Sequence, residues 1–417
     1  MGSSVLDLPL KETIPLSPEA LACPHDYNTR LRTEAPVYKC PHTGIVFVSD
    51  FETSRKVLRD HETFSNRFSV AMRPDKVDGK VHEVQKRGWP AVDTMLTQDP
   101  PEHRRYRGLV NQAFTARRVE TLVPRMEQIC HKLIDGFIQA GRCDFVDSFS
   151  VQLPVIVIGE QLGVPDEHFP LIRKWSEAAA LQLSGQADTQ QQVEIAHVIL
   201  EFQNYFAKKL DERRKDRRDD IISDVVHARL EGERPLDTAE CLSILQQLMV
   251  AGNQTTTHAI GEGMLLLIQN PEQLAKVRRD PELVDDLVEE VLRLSTPTAN
   301  MWRVATRDSK LSGVEIPAGT MLQVRYSSAN RDDAQFDNGQ AFDVTRDKIN
   351  TQIAFGYGVH MCIGASLARK EMQVAFRVLL ERFTDFALDV DPSELHYPPN
   401  VLLRGLAALP ISFIART

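Results

Sequence analysis

The sequence predicts a mainly α-helical fold with small β-sheets, and three observations predict it. Residues from about Thr238 to Gln269 form one long helical pattern, apolar nearly all round, as expected of a helix inside a protein. From Arg118 to about Leu230 the pattern is again helical, with short breaks. The β-branched runs are short and scattered: Val37 to Lys39, Ile45 to Val48, Val314 to Ile316 and Met321 to Val324. There is no internal repeat and no linker-like low-complexity stretch. Residues 1–417 are therefore expected to form one domain, with the first roughly 20 residues as an extended arm.

Composition narrows the function classes. The chain has 417 residues, 42% hydrophobic and 26% charged, the balance of a soluble globular protein. A net charge of −9 argues against a general nucleic-acid binder. No apolar run approaches the ~18 residues of a membrane span. Met1-Gly2-Ser3-Ser4-Val5-Leu6 lacks the basic and apolar segments of a secretory signal, so a cytoplasmic protein without a membrane anchor is expected. Cys23, Cys40, Cys130, Cys143, Cys241 and Cys362 are too few for a disulfide framework. Cys23-Pro24-His25 and Cys40-Pro41-His42 repeat a short pattern, and turn-forming Cys-Pro pairs explain them more simply than a metal site.

Taken in order, the first two runs flank Pro41-His42-Thr43-Gly44 and read as a hairpin, followed by a helix from about Glu52 to Arg59. Phe64 to Gln98 is long and poorly periodic, the mark of a functional or mobile loop. Asp99-Pro100-Pro101-Glu102 starts a helix, on which His103 and Arg107 share one face while Arg104 and Arg105 point elsewhere. The mixed charge run from Arg213 to Asp220 reads as a solvated helix end. The centre of the long apolar helix is polar: Ala251-Gly252-Asn253-Gln254-Thr255-Thr256-Thr257-His258. Buried polar groups need partners, and Thr hydroxyls bonding one turn back distort a helix, so this stretch marks a functional site. Leu283 to Leu294 is a helix with Glu290 and Arg293 at a pairing distance. A strand follows Pro297, and Val314–Ile316 with Met321–Val324 read as a strand pair turning at Pro317-Ala318-Gly319.

The most informative stretch is Phe355-Gly356-Tyr357-Gly358-Val359-His360-Met361-Cys362-Ile363-Gly364, running into a helix with Leu367, Met372, Val374, Ala375, Val378 and Leu379 on its buried face. The glycines permit a constrained loop. Cys362 stands at a helix start, a setting that favours a thiolate. A buried thiolate needs a cation, iron or zinc, and no second Cys or His has zinc-cage spacing. A single axial thiolate leaves haem iron as the natural reading.

Phe-Gly-x-Gly-x-His-x-Cys-x-Gly resembles the haem-binding loop of the cytochrome P450 family, with every fixed position present, and the resemblance runs from the hairpin at Val37 to Leu403. It implies that haem b lies between the long helix and the cysteine-loop helix, with Cys362 as metal ligand and Phe355, Gly356 and Gly364 shaping the loop. His103, Arg107, Arg303 and His360 would hold the propionates. Ala251, Gly252 and Thr255 match the family's oxygen-side pattern, in which Thr255 helps deliver protons. Gln254 stands where the family has an acid, and a neutral amide orients water without titrating. Glu290 and Arg293 match the family's structural pair. Trp89, Val92, Met95, Leu96, Val250, Ala299, Asn300, Met301 and Leu402 are candidates to face the substrate; the loop residues among them either do so or pin the loop to the core.

The resemblance implies a monooxygenase that inserts one oxygen atom from O2 into a small hydrophobic molecule. No flavin, nicotinamide or ferredoxin motif occurs in the chain, so a separate ferredoxin and ferredoxin reductase are the expected partners, docking near Arg104, Arg105, Arg369 or Lys370. Two other readings stand beside it: a peroxide-driven or desaturating enzyme of the same fold, and a haem sensor without catalysis.

Overall fold

The computed structural model describes residues 9–13, 15–22, 24–69, 78–184 and 187–416. Cys23, Pro74 and the first eight residues of the expected arm lie outside the described residues. The remainder of that arm is not extended. Leu10–Glu12 is a 3-10 turn and Pro18–Ala22 a short helix, and buried Leu10 packs with Tyr27, Leu31, Cys40 and Phe47.

The principal helices are α1 (Pro24–Glu34), α2 (Phe51–Arg59), α3 (Gly79–Gln85), α4 (Glu102–Val110), α5 (Ala116–Phe137), α6 (Gln152–Gln161), α7 (Phe169–Ser184), α8 (Thr189–Lys215), α9 (Thr238–Gln269), α10 (Val284–Ser295) and α11 (Ala365–Arg382). The strands are β1 (Val37–Lys39), β2 (Val46–Val48), β3 (Phe64–Ser65), β4 (Arg142–Asp144), β5 (Met301–Ala305), β6 (Ser309–Leu311), β7 (Val314–Ile316), β8 (Met321–Val324), β9 (Phe383–Leu388) and β10 (Pro410–Ala415). They form a five-stranded sheet in the order β1-β2-β8-β5-β3, a three-stranded sheet β4-β10-β9, and the pair β6-β7.

α9 is the central helix. Asp237 and Glu240 cap its start reciprocally, and its buried residues contact α6, α7, α10 and α11. It runs unbroken through Gly252 to Thr257, so the expected local distortion does not interrupt it. Thr255 Oγ1 still donates to Ala251 O at 2.8 Å, the back-bond that the threonines suggested. The expected buried face of α11 is buried at Leu367, Met372, Val374, Ala375, Val378 and Leu379, and packs into one core with α5 and α10.

Three expectations are corrected. β7 and β8 do not pair with each other: β7 pairs with β6, and β8 lies between β2 and β5. Leu322, Gln323 and Val324 are all buried, so this strand belongs inside a sheet and not at the end of a hairpin. The stretch from Phe64 to Gln98 is not all loop. It holds β3 and α3, which Asp78 caps through the Lys80 N–H, while Val81 and Val84 bury against Ala196 and Leu200 of α8. The charge run at 213–220 is not wholly solvated either. Arg213 Nε donates to Asp220 Oδ2 at 2.6 Å, with side chains only 2% and 3% exposed. Two adjacent charges of opposite sign can leave water together where a run of them cannot.

Candidate active site

The cysteine loop is shaped by its glycines. Gly356 and Gly358 have φ of 73° and 77°, and a side chain at Gly358 would come within 2.7 Å of Leu58 O. Gly364 has an ordinary φ of −85°, so its glycine is not required by backbone angle. The Cys362 N–H donates to Phe355 O at 2.9 Å, closing the loop and turning the thiol into a cavity.

That cavity has a largely apolar lining. Cys362 lines it, and so does Thr255, with Ala251 and Gly252 beside it on α9; Asn66, Gln247, Thr298, Tyr326 and Glu371 add further polar groups. Burial pushes the Cys362 thiol above its ordinary value, although the Gly364 N–H, Arg107 and Arg369 pull the other way. The Gly364 N–H at the helix start favours the thiolate as expected, burial opposes it, and a cation bonded to sulfur would tip the balance to the thiolate.

Cationic groups gather on the same cavity. Arg107 from α4 and Arg303 from β5 line it, with His360. Neither arginine forms an ion pair among the described residues, and Arg303 is only 2% exposed, with Nη1 donating to Trp302 O at 2.7 Å. His103 does not line the cavity itself. Its ring packs on that of His360, with centroids 4.4 Å apart, and both its nitrogens are buried without a partner. Burial, the neighbouring His360 and Arg107 bring its pKa down to about 4. His360 Nε2 stands 3.6 Å from Asp99 Oδ1, beyond hydrogen-bond reach, and has no other partner.

Other sequence candidates are sorted by the fold. Met95, Leu96 and Met301 line the cavity; Trp89, Val92, Val250, Ala299, Asn300 and Leu402 do not. The Trp89 N–H donates to Gln203 Oε1, and Gln203 Nε2 donates to Trp89 O, both at 3.0 Å. The Val92 N–H donates to Ser243 Oγ at 3.0 Å. These two residues therefore pin the loop to α8 and α9, and the next ones reach inward. Asn300 Nδ2 donates to Val401 O at 3.1 Å, holding the turn that carries Leu402. Gln254 lines a second cavity with Asn253, Thr257 and His258, opposite Arg173 and Glu177. Ile158, Gln247, Leu248 and Tyr326 line the first cavity without having been singled out, since no local pattern marks which face of a buried helix meets a cavity.

Glu290 and Arg293 pair as expected, with neither side chain exposed. Of the four basic residues expected at a docking face, three are engaged: Arg105 with Glu240, Arg369 with Glu289 and Lys370 with Glu120. Arg104 is exposed. Cys40 is buried, and His42 Nε2 lies 2.8 Å from Lys11 O, which leaves the repeated Cys-Pro-His pattern a turn feature there.

Among the described residues no three His, Cys, Asp or Glu side chains converge to hold a metal unaided. A lone sulfur suits a metal that brings its own remaining ligands. An apolar cavity with unpaired arginines on it suits a flat apolar body with an anionic edge. The residues present fit haem.

Comparison with known proteins agrees. The family described as Cytochrome P450 matches residues 186–405. The chain is 37% identical over 402 residues to cytochrome P450 monooxygenase PikC of Streptomyces venezuelae, covering 95% of this chain and 92% of that one. It is 39% identical over 323 residues to the polyketide biosynthesis cytochrome P450 PksS of Bacillus subtilis (strain 168), covering 77% and 78%. The solved structure of cytochrome P450 CYP109Q5 from Chondromyces apiculatus superposes with a TM-score of 0.84 at 34% identity, covering 96% of this chain and 98% of that one. No described helix is long and apolar enough to cross a membrane. With Cys362 and the central helix's Thr255 lining one cavity, and with a relative that matches 95% of its length, the chain belongs to the cytochrome P450 family as a bacterial-type haem-thiolate monooxygenase.

Proposed function

We propose that the chain binds haem b through Cys362 and oxidises a small hydrophobic molecule, drawing electrons from a separate ferredoxin and its reductase in the cytoplasm. The observation that carries this reading is the shared cavity: Cys362, Thr255, Arg107 and Arg303 all line it, in a wall that is mostly apolar.

When bound, haem supplies the dioxygen chemistry by which one oxygen atom enters a C–H bond or an alkene. The chain's residues do the rest. Arg107 and Arg303 would meet the anionic edge with charge-assisted hydrogen bonds; His103, with both nitrogens buried and unpartnered, and His360, whose Nε2 stands 3.6 Å from Asp99 Oδ1, would join them. Phe355 accepts the Cys362 N–H, Gly356 makes the tight turn at φ 73° and the Gly364 N–H favours the thiolate, so these three would shape the loop that holds haem. Met95, Leu96 and Met301 exclude water and hold the substrate. Thr255 donates to Ala251 O at rest, and turning that hydroxyl into the cavity lets it pass a proton inward. Gln254 faces the second cavity, where its amide orders water behind the helix without itself titrating. Relatives named for polyketide biosynthesis, 6-deoxyerythronolide B hydroxylation and steroid C26 oxidation support a hydrophobic organic substrate. Exposed Arg104 suits an acidic ferredoxin.

The test is spectroscopic. The reduced protein under carbon monoxide should give the thiolate-type Soret band, and Cys362→Ser should abolish it. A haem spectrum unchanged by that substitution overturns the reading. The neutral Gln254 favours one second reading, peroxide-driven oxidation. Turnover with hydrogen peroxide as efficient as with the reductase system would establish it.

A further inference from the structure

Glu240, near the start of α9, does not line the cavity, yet its carboxylate accepts five hydrogen bonds. Oε1 accepts from Arg105 Nη1 at 2.9 Å, Tyr106 Oη at 3.0 Å and Arg234 Nη2 at 2.8 Å. Oε2 accepts from Arg234 Nη1 at 2.8 Å and from the Asp237 N–H at 2.9 Å. The residue is 2% exposed. Burial alone would raise its pKa, but the hydrogen bonds from Arg234, Arg105, the Asp237 N–H and Tyr106 bring it down to about 2.

Capping α9 requires only one of these bonds, the one from Asp237. Arg234 folds the preceding turn onto the carboxylate. The remaining two donors come from α4, and α4 carries His103 and Arg107. Arg105 and Tyr106 sit between those two residues in sequence; Arg105 leaves the helix on the opposite side, and Tyr106 flanks the His103 face without lining the cavity. Arg105 Nη2 also reaches Arg234 O at 3.2 Å, and its Nε pairs with Glu233 at 3.2 Å. The short helix is thus tied, through residues that do not line the cavity, to the first turn of the helix that bears Thr255.

We infer that Glu240 is a positioning residue for haem, setting the placement of α4 so that Arg107 and His103 meet the propionates at a fixed height relative to α9. The inference rests on the reading of Arg107 and His103 as propionate ligands. The carboxylate matters because it is buried itself and meets Arg105, whose side chain is only 12% exposed, so a neutral replacement leaves that guanidinium with the more exposed Glu233 alone.

Glu240→Gln isolates this role, since Gln serves at the third position of a capping box as Glu does. Haem loss from the holoprotein to excess apomyoglobin should accelerate about tenfold, the scale of other outer positioning groups. Arg107→Gln should accelerate it as well, and the double variant should fall well short of the product of the two effects. An unchanged rate in Glu240→Gln, or effects that simply multiply, overturns the inference. If Arg107→Gln alone leaves haem loss unchanged, the propionate reading fails instead. Tyr106→Phe and Arg105→Gln each remove one donor from α4, and they read the same coupling should Glu240→Gln not fold. A purely architectural role would lower the unfolding midpoint of each variant without coupling to Arg107.

Discussion

Arg293 grips Glu290 with two nitrogens, Nε to Oε2 and Nη2 to Oε1, each at 2.7 Å, and neither side chain is exposed to solvent. Arg293 Nη1 also donates to Asn330 O and Gly339 O, and Glu290 accepts from the Asp343 N–H and from Arg346 Nε. The pair therefore ties α10 to the long meander that leads into the cysteine loop. Removing one charge leaves the other buried without a counterion. Glu290→Gln should lower unfolding free energy by roughly 3–5 kcal/mol, read by urea denaturation, with haem incorporation falling in parallel. A loss below ~1 kcal/mol would mean that the pair behaves like a surface ion pair.

Leu96 and Val92 lie in the same loop but on different sides of it. Leu96 lines the cavity, whereas the Val92 N–H is spent on Ser243. Leu96→Ala should weaken the binding of apolar ligands by about 1–2 kcal/mol, near tenfold, followed by the spin-state shift of the haem band. Val92→Ala should leave affinity within about twofold. Equal effects would show that both side chains reach the ligand.

Gln254 presents an amide to the second cavity where the family pattern has an acid. In Gln254→Glu the share of electrons ending in product and the solvent isotope effect should both change, because a titrating group then stands behind Thr255. Identical coupling in the two proteins would show that position 254 takes no part in proton supply.

Glu371, on α11 at the cavity, is 2% exposed with Oε2 unpartnered, and burial raises its pKa to about 8. The folded state holds this proton more tightly than the unfolded chain does. The resulting stability is fully present below the unfolded carboxyl pKa of 4.5 and is lost as pH rises through about 8. Between pH 5 and 8 the parent should lose on the order of 3 kcal/mol that Glu371→Gln does not lose. Unfolding curves at matched pH values decide it; parallel pH profiles would exclude a buried neutral carboxyl.

The sequence by itself determined what depends on neighbours along the chain. Glycines at 356 and 358, followed by His360 and Cys362, specify a tight loop because their backbone needs are local. The capped apolar run from Thr238 to Gln269 specifies α9 almost to the residue, and Glu290 and Arg293 are one helical turn apart, so their pairing was readable. The tertiary structure alone decided what depends on segments far apart. β8 chose β2 and β5 over its neighbour β7; Arg213 and Asp220 left water together; Trp89 was taken by Gln203 and Arg105 by Glu240. Which face of a helix meets a cavity, and which buried charge meets which partner, are set by packing between distant elements, and hydrophobic periodicity carries no record of that choice.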